Sequence, residues 1–315
     1  MSRKSTPTTK RIGPDFAGSA LLLTLWCVGI LSLSIFVVVR LVEYDLDDER
    51  FESMRVEARE MALTGIALGL HPDIDRGDPL LRQTLGENRT LVVSVESENA
   101  RLNINQALEQ PSSPILKAIL TRWELPDRDI GSIVDSLYDW VDQDDLRSLN
   151  GAEVEDLQDQ SRYSIPQNRP FIAVSEMERV RGMDQVAAQV PQWRKYFSVF
   201  SGDKFDIHDV SLDWLVAAGR LPEPVAAQWI EARTGADKLA GTMDDLRLSN
   251  IAELRSLLGI GETQLAALQE LFDVNADPLR ITSLATIGDV SYAISVVTTK
   301  SEAGEPPQFM SWEEE

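Results

Sequence analysis

Ser19–Val39 reads SALLLTLWCVGILSLSIFVVV, 21 consecutive residues without a charge. A helix needs about 20 apolar residues to cross the hydrocarbon layer of a bilayer, so this run predicts one transmembrane helix. A soluble core helix so long and so uniformly apolar is uncommon. A cleavable secretory signal has a shorter apolar run and an A-x-A site, and no such site follows Val39. Charge sets the orientation. Arg3, Lys4, Lys10 and Arg11 precede the run against Asp15 alone, while Asp45, Asp47, Asp48 and Glu49 follow it. The positive-inside bias keeps the N-terminus cytoplasmic and places the chain from about Arg40 onward on the far side of the membrane.

The rest of the 315 residues is ordinary globular sequence, 43% of the chain being hydrophobic. Its 51 acidic against 30 basic residues give a formal charge of -21, which opposes binding to nucleic acid and to anionic lipid. Cys27 is the only cysteine and lies within the apolar run, so an intramolecular disulfide and a Cys-based zinc site are both ruled out.

Beyond the span, Tyr44, Phe51, Met54, Ala58, Met61, Gly65 and Leu68 continue at helical spacing until His71-Pro72 ends the run. This stripe fits packing against the subunit's own globular part or against a partner helix. Alternation of apolar residues predicts a strand over Thr90–Glu96, and Ala100–Asn105 reads as the second strand of a hairpin. Helices are expected at 114–124, 127–142, 174–181, 184–197, 211–218, 223–233, 250–258 and 262–271. Strands return at Leu279–Leu284 and Tyr292–Thr298. The Pro/Glu-rich tail, Glu302–Glu315, is expected to be mobile around Trp312. Early and late strands around a helical block predict an α+β fold, a long N-terminal helix packed on an antiparallel sheet with a large all-helical insertion.

Within the insertion Val174–Met183 (VSEMERVRGM) and Ile251–Ile260 (IAELRSLLGI) align without a gap, apolar on apolar and Gly182 on Gly259. Each resembles a helix-hairpin-helix unit. That unit grips phosphate in DNA-binding proteins, but Asp184 and Glu262 stand at these turns, so a packing role is expected. An enzyme is poorly supported. His71 and His208 are the only histidines, and HExxH, nucleophile-elbow, P-loop and dinucleotide motifs are absent.

The segment from Asp135 to Gln160 holds nine carboxylates, among them Asp139, Asp142, Asp144, Glu153 and Asp156, with Arg147 its single basic residue. Such crowding requires screening by solvent or by a hard cation with oxygen ligands, and either reading fits the residues alone. Asp142, Asp144 and Glu153 occupy the first, third and twelfth places of an EF-hand loop, but Arg147 stands where that loop requires glycine.

The junction Asp15-Phe16-Ala17-Gly18 before Ser19-Ala20-Leu21-Leu22-Leu23 resembles a type IV prepilin leader. The resemblance implies cleavage between Gly18 and Ser19 by a prepilin peptidase. Most pilin-like subunits carry glutamate five residues after the cut, where this chain has Leu23. The run Leu137–Asp144 (LYDWVDQD), then Asn150–Glu153 (NGAE), Val174–Met177 and Val180–Met183, followed by the terminal Ser311-Trp312-Glu313, resembles the K-type minor pseudopilins of type II secretion systems.

That resemblance implies a pilin-like fold and no catalysis. It implies a place at the pseudopilus tip in assembly and protein export across the outer membrane, and contact with I- and J-type minor pseudopilins and other pseudopilins. It also implies calcium in the acidic stretch, held by Asp142, Asp144, Glu153 and Asp156, with Asp139 beside them. Val154 departs from the family's usual acidic residue, and Phe205–Val210 (FDIHDV) blurs its I-N-V-N-T-A. The organisation that follows is a leader at 1–18, a transmembrane and stem helix at 19–70, a first sheet part at 71–110, the helical insertion at 111–275, and final strands with an acidic tail at 276–315. A DNA-uptake protein and a membrane-anchored carboxylate hydrolase are the alternatives. Co-expression with a prepilin peptidase should leave Ser19 as the first residue by intact-mass spectrometry. A product still beginning at Met1 or Ser2 would contradict the leader reading.

Overall fold

The computed structural model describes residues 15–153, 163, 165–299 and 306–315. The chain divides into two compact units, Met1–Val56 and Glu57–Glu315. Helix α1 spans Asp15–Leu70. In the first unit it carries Ala20–Leu41, with mean hydropathy 2.6 and none of it buried, a stretch long and apolar enough to cross a membrane. The hydroxyls of Thr24 and Ser34 donate to the carbonyls of Leu21 and Ile30 at 2.9 and 2.8 Å, which satisfies them inside their own helix. Lipid offers no such partner.

In the second unit the described strands are β1 (Arg82–Thr84), β2 (Arg89–Ser97), β3 (Leu102–Asn103), β4 (Phe197–Ser198), β5 (Phe205–Asp206), β6 (Phe272–Asp273), β7 (Leu279–Ile287), β8 (Val290–Thr298) and β9 (Phe309–Glu314). The described helices after α1 are α2 (Ile104–Ala107), α3 (Pro114–Arg122), α4 (Asp127–Val141), α5 (Met183–Gln189), α6 (Leu212–Ala217), α7 (Glu223–Arg233), α8 (Leu254–Leu258) and α9 (Glu262–Leu271). A five-stranded antiparallel sheet runs in the order β1-β2-β7-β8-β9. Its central pair, β2 with β7, joins segments on either side of the whole helical block, with Val93 opposite Ser283 and Val95 opposite Ile281. This is the α+β arrangement that the two-ended strand pattern predicts.

From Glu57 onward α1 lies on one face of that sheet, burying Ala58, Ala62, Gly65 and Ile66 at helical spacing. Met54, Met61 and Leu68 are half-buried, Phe51 is exposed, and the Tyr44 side chain lies outside the described residues. The close approach depends on glycine: a Cβ on Gly65 would collide with Ser283 Oγ, and one on Gly69 would stand 2.6 Å from Ile281 Cγ2.

Three sequence expectations are corrected. Ala100–Asn105 forms no hairpin strand. Ser97 caps a 3-10 turn over Glu98–Ala100, Leu102–Asn103 pairs in parallel with Phe197–Ser198, and Asn103 Oδ1 accepts from the backbone N–H of Asn105 to start α2. The expected helix 184–197 is broken after Gln189. Pro191 disfavours helix at Val190, and a separate 3-10 turn covers Trp193–Tyr196. The tail contains an edge strand, β9, fixed to the stem where Arg59 Nε and Nη2 donate to Glu314 at 2.9 and 3.0 Å. Hydrogen bonds from Arg59, Tyr292 and Trp312 hold the Glu314 carboxyl down at about 2.

Sheet and helical block meet at one buried carboxylate, Glu98, and one half-buried carboxylate, Asp209. Glu98 is 0% exposed and accepts from Arg280 Nε at 2.7 Å and Nη2 at 2.8 Å, from Arg101 Nη1 at 3.3 Å and from the hydroxyl of Ser198. Asp209 accepts from Arg76 Nη1 and from the Ser97 N–H, each at 2.6 Å, with Arg247 Nη1 at 3.5 Å from its other oxygen. Burial pushes the Asp209 carboxyl up, but Arg76 and Arg247 outweigh it and the net direction is down. The helical block closes around tryptophans: Trp214 Nε1 donates to Tyr196 O at 3.1 Å and Trp229 Nε1 to Ile207 O at 2.9 Å.

Removing one member of a buried ion pair strands the other charge, whereas replacing both by apolar groups does not. Glu98→Ala should therefore cost about 3–5 kcal/mol in denaturant unfolding, and Glu98→Met with Arg280→Met together should recover most of it. Equal losses in the single and the double variant would contradict the pairing. A carboxyl with a lowered folded pKa contributes stability above its unfolded value near 3.9, and loses it as pH falls through the folded value. Asp209→Asn should flatten the acid side of the stability curve below pH 4, while an unchanged slope would contradict that assignment.

Candidate functional site

The acidic stretch begins on α4, whose first turn carries Asp127 and Asp129 at the positive end of the helix dipole. On the last turns Asp135 and Asp139 are buried, the latter at 0% exposure. They draw the following loop back onto the helix. Asp135 Oδ2 accepts from Asn150 N–H at 3.1 Å and from Asn150 Nδ2 at 3.0 Å. Asp139 accepts from Ser148 N–H at 3.1 Å, and Gly151 packs so near its carboxylate that a Cβ would stand 2.7 Å from Cγ. Arg181 Nη1 reaches the Gly151 carbonyl at 3.2 Å, tying the loop to the first helix-hairpin-helix-like repeat. Burial is the main reason the Asp139 carboxyl is raised.

Asp142 ends α4, its N–H donating to Tyr138 O at 3.0 Å. Burial, then the charges of Asp139, Asp144, Glu153 and Asp145, push its carboxyl up to about 7. Its Oδ1 is buried and without a hydrogen-bond partner. Asp144 is exposed and turns back to accept from Leu146 N–H at 2.8 Å, while Glu153 is buried at 4% exposure. Asp156 lies outside the described residues. Among the described residues no three His, Cys, Asp or Glu side chains form a group able to hold a metal ion.

One contributor was not legible in the sequence. Asn168 stands in the left-handed region at φ 48° and donates from Nδ2 to Asp145 Oδ1 at 3.1 Å, leaving its own Oδ1 buried without a partner. The acidic loop is thus bordered by two buried oxygens without hydrogen-bond partners, Asp142 Oδ1 and Asn168 Oδ1. Oxygen acceptors beside crowded carboxylates are the donor type that a hard cation takes, although among the described residues no three acidic side chains converge on one point.

The other sequence-predicted positions are placed as follows. Gly18 and Ser19 lie within α1. Gly182 and Gly259 both turn through the left-handed region, at φ 91° and 65°, so the two repeats share their hinge conformation. Asp184 and Glu262 occupy the first turns of α5 and α9, where a phosphate would have to approach. His71 Nδ1 accepts from Asp73 N–H at 3.3 Å. His208 is engaged at both nitrogens: Nε2 accepts from Leu248 N–H at 2.8 Å, leaving Nδ1 to donate to Asp206 Oδ1 at 2.9 Å.

Residues 100–200 match the sequence profile of the family described as Type II secretion system (T2SS), protein K. This segment contains α4, the acidic loop and the first repeat. By fold, the chain resembles a chain in the crystal structure of the GspK-GspI-GspJ complex from the type 2 secretion system of enterotoxigenic Escherichia coli. The TM-score is 0.57 at 16% identity, over 87% of this chain and 99% of that one. No curated protein matches by sequence. Over residues 100–200 the chain is thus similar to protein K of type II secretion systems, and over most of its length it shares the fold of a chain of that complex.

Proposed function

We propose that this subunit caps the tip of the pseudopilus, is anchored in the inner membrane by α1 with its bulk in the periplasm, and acts in assembly and export without catalysis. The observation that carries the position is Leu23. A carboxylate at this place in a filament subunit would neutralise the buried α-amine of the next subunit, and an unpaired charge in that apolar bundle is costly. A subunit with no neighbour beyond it needs no such carboxylate. The bulk of Glu57–Glu315 supports the same place, since a head of that size does not repeat along a tightly packed filament. The relative of known structure was solved with GspI and GspJ, which supports I- and J-type subunits as partners here. Prepilin peptidase would release the mature chain at Gly18–Ser19. The absence of catalysis is supported by both histidines being held in local hydrogen bonds.

Calcium would stabilise the acidic loop. Asp142, Asp144, Glu153 and Asp156 would hold it, with Asn168 Oδ1 as an added neutral ligand. Asp139, already occupied by the Ser148 N–H, would act mainly by positioning. The bound ion would supply positive charge against the burial, and then the carboxylate repulsion, that raise Asp142.

Pseudopili grown with a gold-labelled head on this subunit should carry label at one end only. Label spaced along the filament would contradict the cap. A ligand binding only the folded state adds RT ln(1 + [L]/Kd), about 2.7 kcal/mol at a hundredfold excess over Kd. Calcium should therefore raise the melting temperature of the purified protein above its value in EDTA, and Asp142→Ala or Asn168→Ala should shrink that difference. Identical melting curves with calcium and EDTA would contradict the cation site.

A further inference from the structure

Strand β9 ends the sheet order β1-β2-β7-β8-β9, so only one of its two long edges is paired. Ala293 and Glu315 exchange both of their backbone hydrogen bonds, each at 3.0 Å. In an antiparallel pair bonded and non-bonded positions alternate, so Ser311 and Glu313 also turn their backbone groups toward β8, while Trp312 and Glu314 turn theirs to the open edge. The edge has two chemically different faces. Trp312 and Glu314 stand opposite the buried Val296 and Ile294 on the face that meets the stem, whereas Glu313 and Glu315 project from the other face. Phe309 meets Trp312 edge-on, ring centroids 5.9 Å apart, and both rings are exposed. This ledge is held in place: Trp312 Nε1 donates to Glu314 Oε1 at 2.9 Å, and Tyr292 Oη and Arg59 Nε donate to the other oxygen of the same carboxylate.

An open edge recruits another strand, and proteins blunt such edges with proline, lysine or bulges. β9 carries neither proline nor lysine, and its one irregularity lies opposite Val297 and Thr298, before the run from Ser311 to Glu314. Its glutamates do discriminate against one occupant. The β9 of a second copy would set carboxylate against carboxylate, and like charges directly opposite destabilise a pair. A strand with basic side chains on that face meets no such penalty.

We propose that β9 receives an extended segment of a partner chain in which apolar and basic residues alternate. Its backbone bonds antiparallel to Trp312 and Glu314, its apolar side chains cover the Phe309–Trp312 ledge, and its lysines or arginines lie beside Glu313 and Glu315. The fixed ledge lowers the ordering cost of the association.

The test uses the full chain in detergent micelles and follows a fluorescently labelled Lys-Val-Lys-Val-Lys peptide by anisotropy, with saturable binding expected. A chain of formal charge -21 attracts any cationic peptide, so the controls must isolate strand addition. N-methylation of both valines keeps the charge but removes the donors that would face β9, and should weaken binding about tenfold. Glu313→Lys with Glu315→Lys should invert the preference, so that Glu-Val-Glu-Val-Glu binds about tenfold more tightly than the lysine peptide. Trp312→Pro removes the indole and an outward N–H without touching a bond to β8, and should abolish binding. If Trp312→Pro does not fold, the N-methylated peptide and the charge exchange decide. No saturable binding, equal binding of the N-methylated peptide, or an unchanged preference in the charge-exchanged chain would overturn the proposal. So would a dimer in analytical ultracentrifugation that Trp312→Pro dissolves, because the edge would then be covered by a second copy.

Discussion

The head unit depends on one carboxylate. Its sheet is built from strands that lie on either side of the helical block in sequence, so the chain must leave the sheet at Ser97 and return to it after Asp277-Pro278. Glu98 stands at that root. Its N–H donates to Pro278 O at 2.8 Å, and its fully buried side chain is forked by Arg280 of β7 while Ser198 of the helical block donates to it as well. Desolvating a carboxylate costs several kcal/mol, and only the convergence of charged and neutral donors offsets it. Asn99 extends the joint, its Nδ2 reaching Asp277 O at 2.8 Å and its Oδ1 accepting from Gly202 N–H at 2.8 Å. Polar side chains thus specify how sheet and block join, and the apolar cores on each side supply the stability.

A joint of this kind suits the capping role proposed for the subunit. The part of α1 from Glu57 onward is pressed to the sheet by Gly65 and Gly69, and the C-terminal strand returns to grip it through Glu314 and Arg59. Both ends of the head's chain are therefore fastened to the same stem. The loop is fastened in turn to α4 by Asp135 and Asp139, so Asp142 and Asp144 between those tethers are presented from a fixed base.

Much of this was legible in the sequence because local signals agreed with the fold. Leu91, Val93 and Val95 alternate as a half-buried strand does, and α7 and α9 begin and end at the residues their periodicity predicts. The misses share a cause. Leu102–Asn103 and Phe205–Asp206 are two-residue parallel strands whose partners lie far along the chain, so no local pattern marks them. β9 carries Glu and Trp on an exposed edge, a composition that reads as a solvated tail until the pairing of Trp312 with Val296 is seen. Among the site residues, the acidic crowding around Asp142 was visible, but the division of labour was not: Asp135 and Asp139 clamp the backbone, and Asn168 contributes from a separate loop. Leader cleavage is a matter of chemistry that the fold of α1 does not display.

The central claim is that this subunit ends the filament because it lacks the carboxylate that would receive another subunit. Copy number separates that claim from lateral or interspersed incorporation. Isotope-dilution mass spectrometry of purified pseudopili, sorted by length, should find one copy of this chain per filament at every length. A copy number rising in proportion to the major subunit would contradict the account.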